Sequence, residues 1–135
     1  MLPDILYVED NPAEVFLLAE AVRKVDPTLK LKSVSDGESA LAFLSAATDQ
    51  PCVIVLDLGL PKIDGAEVFK AVKSNPAFNA VPTIVFASPA ARRKIETTGY
   101  APDLFLTKPM DLDGYADIAA QIVALCTAGL VKATA

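Results

Sequence analysis

Cys52-Val53-Ile54-Val55-Leu56-Asp57-Leu58-Gly59-Leu60-Pro61-Lys62-Ile63-Asp64-Gly65 passes from an unbroken apolar run through one carboxylate into a turn. A run that is apolar throughout, rather than alternating, reads as a strand covered on both faces. Asp57 stands at its mouth, where an unpaired carboxylate beside a core is costly unless it does chemistry or holds an ion. An earlier run, Asp4-Ile5-Leu6-Tyr7-Val8, ends in the same way with Glu9-Asp10. Acids at the ends of two strands point to one shared site.

Short apolar runs alternate with stretches of helical period. The expected strands are Ile5 to Val8, Leu29 to Val34, Cys52 to Leu56, Thr83 to Ala87 and Leu104 to Leu106, rich in Val, Ile, Leu and Phe. Pro12 to Val25 carries Val15, Leu18, Ala19 and Val22 at i, i+3, i+4, i+7 spacing, with Asn11 as N-cap and Pro12 at the first helical position. Asp36-Gly37-Glu38-Ser39 opens a second helix through Ala46. Asp64-Gly65-Ala66-Glu67 opens a third, with Asp64 as cap and Val68, Ala71 and Val72 facing inward. A short, charged fourth helix covers Ala90 to Thr97. The last, Leu112 to Cys126, places Tyr115, Ile118, Ala119 and Ile122 on one face with Asp111 near its start. Such alternation gives a parallel sheet with right-handed crossovers. The expected fold is α/β, a flavodoxin-like doubly wound sheet of order 2-1-3-4-5 with a helix after each strand. Ligands of such sheets sit at the carboxyl ends of the strands, where strand order reverses. That order makes Glu9-Asp10 and Asp57 neighbours.

Composition narrows the function classes. A chain of 135 residues, 53% hydrophobic and 21% charged, fits one domain with a single core. The domain is expected over 1–126, with 127–135 a loose tail. A net charge of −5 and a pI near 4.6 oppose a nucleic-acid footprint, which needs a basic face. Arg92-Arg93-Lys94 reads as a solvated helix face or part of a partner surface. Cys52 and Cys126 have neither metal nor redox spacing and read as buried thiols of a reducing compartment. No run approaches a membrane span and the N-terminus has no signal-peptide layout, so the expected location is cytoplasmic. With no histidine in the chain, a phosphohistidine can come only from a partner.

The acids need a counter-charge. For carboxylates about 5 Å apart at an effective dielectric of about 20, pairwise repulsion is about 3 kcal/mol. Oxygen ligands without His or Cys suit a hard cation, Mg²⁺ or Mn²⁺, which keeps several waters and leaves room for phosphate. Lys108, in Thr107-Lys108-Pro109 after the fifth strand, reaches the same edge as a point charge for an anion. A cis bond before Pro109 would aim that lysine inward. Taken singly, each feature has a plainer role: Glu9-Asp10-Asn11-Pro12 as a helix cap, Lys108-Pro109 as a turn. Only this topology puts them on one edge.

Four segments together resemble the receiver domains of two-component response regulators: Ile5-Leu6-Tyr7-Val8-Glu9-Asp10-Asn11, Leu56 through Gly65, Val81-Pro82-Thr83-Ile84-Val85-Phe86, and Phe105-Leu106-Thr107-Lys108-Pro109. The likeness covers residues 4 to 126. A narrower likeness, to the small stand-alone regulators paired with bacterial phytochromes, rests on Leu60-Pro61-Lys62 and on Lys108-Pro109-Met110-Asp111-Leu112. The resemblance implies that Asp57 accepts a phosphoryl group from a sensor histidine kinase. It also implies that Asp10, Asp57 and the backbone carbonyl of Gly59 ligate Mg²⁺, that Glu9 assists, and that Lys108 pairs with the phosphoryl group. Output would pass by contact with a downstream protein or by relay to a histidine phosphotransfer protein, with a homodimer among the possible assemblies.

One position departs from the family. Five residues after Pro82, where the family carries Thr or Ser, this chain has Ala87, and the hydroxyl falls at Ser88. Neighbours on a strand face opposite sides, so Ser88 substitutes only if the strand end bulges or turns. Phe105 stands where the family has an aromatic that follows that hydroxyl, with core packing as its plainer role. The rival reading is therefore a receiver-like interaction module with impaired or lost switching. An aspartyl-nucleophile phosphatase would want an acid where Gly59 stands. A flavin carrier would want a hydroxyl- and glycine-rich loop where Glu9-Asp10-Asn11-Pro12 stands.

Overall fold

The computed structural model describes residues 4–46, 50–58, 65–86 and 89–134, with side chains at all of these except 89–91, 94 and 129–134. Five strands alternate with five helices: β1 Ile5–Val8, α1 Pro12–Val25, β2 Leu31–Val34, α2 Gly37–Ala46, β3 Val53–Asp57, α3 Gly65–Ser74, β4 Thr83–Phe86, α4 Pro89–Glu96, β5 Leu104–Leu106 and α5 Leu112–Thr134. All strand pairs are parallel and the order is β2-β1-β3-β4-β5, as expected. The expectations for Gly59, Asp64, Ala87 and Ser88 fall outside the described residues.

The apolar runs are continuous because the sheet has a core on each face. Leu6, Val8, Ile54, Leu56 and Val85 face α2 and α3, meeting Leu44, Val68, Phe69 and Val72. Ile5, Tyr7, Val53, Val55, Ile84 and Phe86 face α1 and α5, meeting Leu18, Val22, Ile118, Ala119 and Ile122. Along β1 and β3 successive residues thus enter opposite cores, as the pleat requires. Register then carries the strand ends together: Val8 lies beside Leu56, and Asp57 beside Phe86.

Several boundaries move for local reasons. β2 starts at Leu31 because Asp26 holds a turn, its Oδ1 accepting from the Thr28 amide at 3.0 Å and hydroxyl at 2.6 Å. β3 extends one position to include Asp57, since its backbone still pairs with β4. At the far end α5 continues through Thr134 where a loose tail is expected. No proline interrupts 127–134, and its alanines and leucine favour helix.

The cysteines are a larger correction. Cys52 and Cys126 are joined as a disulfide across 74 positions, with Cα atoms 4.9 Å apart. The apolar face of α5 lies over the start of β3 in the same core, and this brings the two residues together. The reading of two free thiols is thereby corrected. No helix among the described residues is long and apolar enough to cross a membrane.

Candidate functional site

Three loops at the carboxyl edge of the sheet supply the charged residues. β1 ends in Glu9-Asp10, and α1 starts at once because Asn11 Oδ1 accepts from the Ala13 amide at 3.0 Å, with Pro12 next in line. Glu9 is itself held by the turn, Oε1 accepting from the Asn11 amide at 3.2 Å. β3 delivers Asp57. Behind it Gly65 starts α3 so close to Leu58 that an added Cβ would lie 2.5 Å from the Leu58 Cα, so only glycine permits this approach. β5 leads to Lys108, which is steadied from α5: Gly114 lies against Pro109, where a Cβ would come within 2.5 Å of the proline ring.

The Lys108–Pro109 bond is trans, not cis. The lysine reaches inward by its own length, drawn by carboxylates. Its Nζ donates to Glu9 Oε2 at 2.9 Å, Asp57 Oδ2 at 3.0 Å and Glu14 Oε2 at 2.6 Å. Glu9 and Asp57 are buried, at 3% and 9% exposure, whereas Asp10 is exposed. One carboxylate oxygen from each of Glu9, Asp10 and Asp57 lies within 4.8 Å of the others.

Burial, and next a hydrogen bond with Asp57, raise the Glu9 carboxyl to about 8, against the opposing pull of Lys108. Burial alone would lower the Lys108 ammonium, but the hydrogen bonds to Glu14, Glu9 and Asp57 outweigh it and hold it above the ordinary lysine range. Beneath the site, burial and then the Glu9 charge push the Tyr7 phenol upward, so it stays protonated. The site is short of positive charge. An oxygen-only donor set of this spacing fits a hard divalent cation, whose charge would offset the repulsion among the carboxylates and favour the ionised form of Glu9.

Glu9, Asp10, Asp57 and Lys108 therefore come together as the sequence leads one to expect, while Glu14 does not follow from it. An acid in the first turn of a helix is explained by the helix dipole alone, and at three residues past Asn11 it also matches a capping box. The usable signal is its place one turn into α1, above the same edge as Asp10. Phe105 packs partly buried against the α2–α3 core, and the Arg92 guanidinium lies 4.9 Å from its ring centroid. Arg92 thus stacks on an aromatic face rather than standing free in solvent.

Known proteins are similar to this chain in sequence and fold. Response regulator Rcp1 of Synechocystis sp. is 36% identical over 89 residues, which cover 62% of this chain and 60% of that protein. The matched stretch thus spans less than two thirds of that relative. The crystal structure of the phosphorylated cyanobacterial phytochrome response regulator RcpA superimposes with a TM-score of 0.78 at 29% identity, covering 90% of this chain and 91% of that one. The Mn²⁺-bound form of Rcp1 gives a TM-score of 0.74 at 29% identity, covering 87% and 89%. The pattern of the response regulator receiver domain matches residues 5–119, and the chain belongs to that family.

Proposed function

We propose that Asp57 accepts a phosphoryl group from a phosphohistidine of a sensor histidine kinase, in a reaction that requires Mg²⁺ or Mn²⁺. The observation that carries this reading is the edge shared by Glu9, Asp10 and Asp57, with Lys108 Nζ 3.0 Å from the Asp57 carboxylate. An Asp57 oxygen attacks phosphorus, a P–O bond forms as the P–N bond breaks, and the imidazole leaves with the bonding pair. A cation held by Glu9, Asp10, Asp57 and, from the family resemblance, the Gly59 carbonyl supplies charge neutralisation for the transferring group. Lys108 meets the added negative charge on the other side. Phosphoryl transfer asks chiefly for alignment and neutralisation, and these residues offer both. Water can later hydrolyse the acyl phosphate. The chain acts as a signalling module rather than a metabolic enzyme, passing its state to a downstream protein, a histidine phosphotransfer protein or a second copy.

The experiment is incubation with Mg²⁺ and acetyl phosphate followed by intact-mass measurement. A phosphoryl adduct is expected in the wild type and none in Asp57→Asn. An adduct that persists in that variant, or none in the wild type, refutes the assignment.

Ala87 supports a second reading, in which phosphate is accepted but its report to α4 is weakened because the usual hydroxyl is missing. Phosphorylating Ala87→Thr and the wild type, then comparing amide chemical-shift changes over α4 and β5, separates the two. Larger and wider changes in Ala87→Thr support weakened reporting, while equal changes oppose it.

A further inference from the structure

Lys108 has three N–H donors, and in this structure all of them are spent on carboxylates: Glu9, Asp57 and Glu14. Glu9 and Asp57 also belong to the group able to hold a cation, and Glu14 does not. A cation that takes up Glu9 and Asp57 therefore leaves the lysine facing Glu14. That contact, at 2.6 Å, is the shortest of the three. It is also a partly sheltered one, with side chains 33% and 27% exposed, so solvent screens it only in part. The first turn of α1, fixed by the Asn11 cap and Pro12, holds Glu14 in place.

We propose that Glu14 is a positioning residue that competes with the incoming phosphoryl group for Lys108, and so acts as a built-in brake on phosphorylation. This rests on the assignment of Asp57 as phosphoacceptor. With Glu9 and Asp57 taken up by the cation, Glu14 is the carboxylate that still draws Lys108, and its pull opposes the lysine's approach to phosphate on Asp57. Glu14 also adds a negative charge beside the path of an anionic phosphodonor, so its effect falls on donor binding more than on the rate at saturation.

The test compares wild type, Glu14→Gln, Glu14→Asp and Glu20→Gln. Glu20 lies on the same helix, where it pairs with Arg23, and its neutralisation controls for net charge. Half-saturating acetyl phosphate with Mg²⁺ is measured alongside the affinity for beryllofluoride, a phosphoryl mimic, followed by fluorine NMR. Glu14→Gln should lower both half-saturating concentrations by about threefold to tenfold with a smaller change in maximal rate, and added salt should narrow the gap. Glu14→Asp, which keeps the charge on a shorter arm, should fall between, and Glu20→Gln should match the wild type. A simple loss of structure would weaken beryllofluoride binding instead of tightening it. A wild type that reacts while Glu14→Gln matches or falls below it overturns the Glu14 assignment alone. A wild type that takes up neither acetyl phosphate nor beryllofluoride overturns the phosphoacceptor reading and this inference together.

Discussion

At the amino-terminal ends of the strands the polar groups are tied off by the chain itself, whereas at the carboxyl-terminal ends the acids crowd around one lysine. At the first end Asp4 Oδ2 accepts from the Lys30 amide at 2.9 Å, and Asp103 Oδ2 accepts from the Thr83 amide at 2.7 Å. Lys73, whose pKa burial lowers against the pull of Asp103, donates to the Val81 carbonyl at 3.2 Å. The disulfide from Cys52 to Cys126 closes the same end. At the other end Glu9, Glu14 and Asp57 share the Lys108 ammonium, with Asp10 beside them. At the first edge Gln50 Oε1 is the one buried side-chain nitrogen or oxygen without a hydrogen-bond partner among the described residues, whereas at the second several charged groups converge on one ammonium. A concentration of like charges at one edge marks where a fold gives up stability for function.

The comparison breaks most easily at the tied end. Cys126→Ser removes a link that closes a long loop, and should cost about 2–4 kcal/mol of unfolding free energy. Urea unfolding of the oxidised protein against the variant measures it. A mass lower by two hydrogens before reduction confirms the bond. The site should hardly respond: the cysteines lie at the far end of β3 from Asp57, so acetyl phosphate uptake is expected to stay at the wild-type level.

Asp103→Ala should cost less, about 1–2 kcal/mol, since it orphans the Thr83 amide and removes the partner 4.0 Å from Lys73. Thermal unfolding at fixed pH reads this. A loss well below that range would show that solvent satisfies this end as readily as the chain does.

The fold was legible because both cores need continuous apolar strands and because helix starts are written locally, as at Asn11-Pro12. The edge that carries Glu9, Asp10, Asp57 and Lys108 was legible for the same reason, since strand order places their loops. What escaped depends on side-chain reach and on long-range proximity. Glu14 looked like a first-turn acid, and whether Cys52 meets Cys126 depends on how α5 crosses β3, which spacing along the chain does not encode. The end of α5 escaped because small residues such as those of 127–134 suit a tail as well as a helix.

The open end is tested by pH. Glu9 titrates near 4.5 when unfolded and at about 8 when folded without a cation. Because the folded value is raised, its contribution to stability is fully present below about 4.5 and is lost as pH rises through about 8. The cation-free protein should therefore melt progressively lower between those limits, and Mg²⁺, which binds the ionised acid, should restore stability most at the alkaline side. Glu9→Gln mimics the protonated carboxyl. Near pH 5 it should leave stability almost unchanged, and near pH 9 it should make the cation-free protein more stable than wild type by an amount on the order of 1 kcal/mol. It should also flatten the pH slope and weaken Mg²⁺ binding. A parallel slope in the two proteins would mean that Glu9 is not the group under strain, and the contrast between the two ends would then have to rest on Asp57, Asp10 and Lys108 alone.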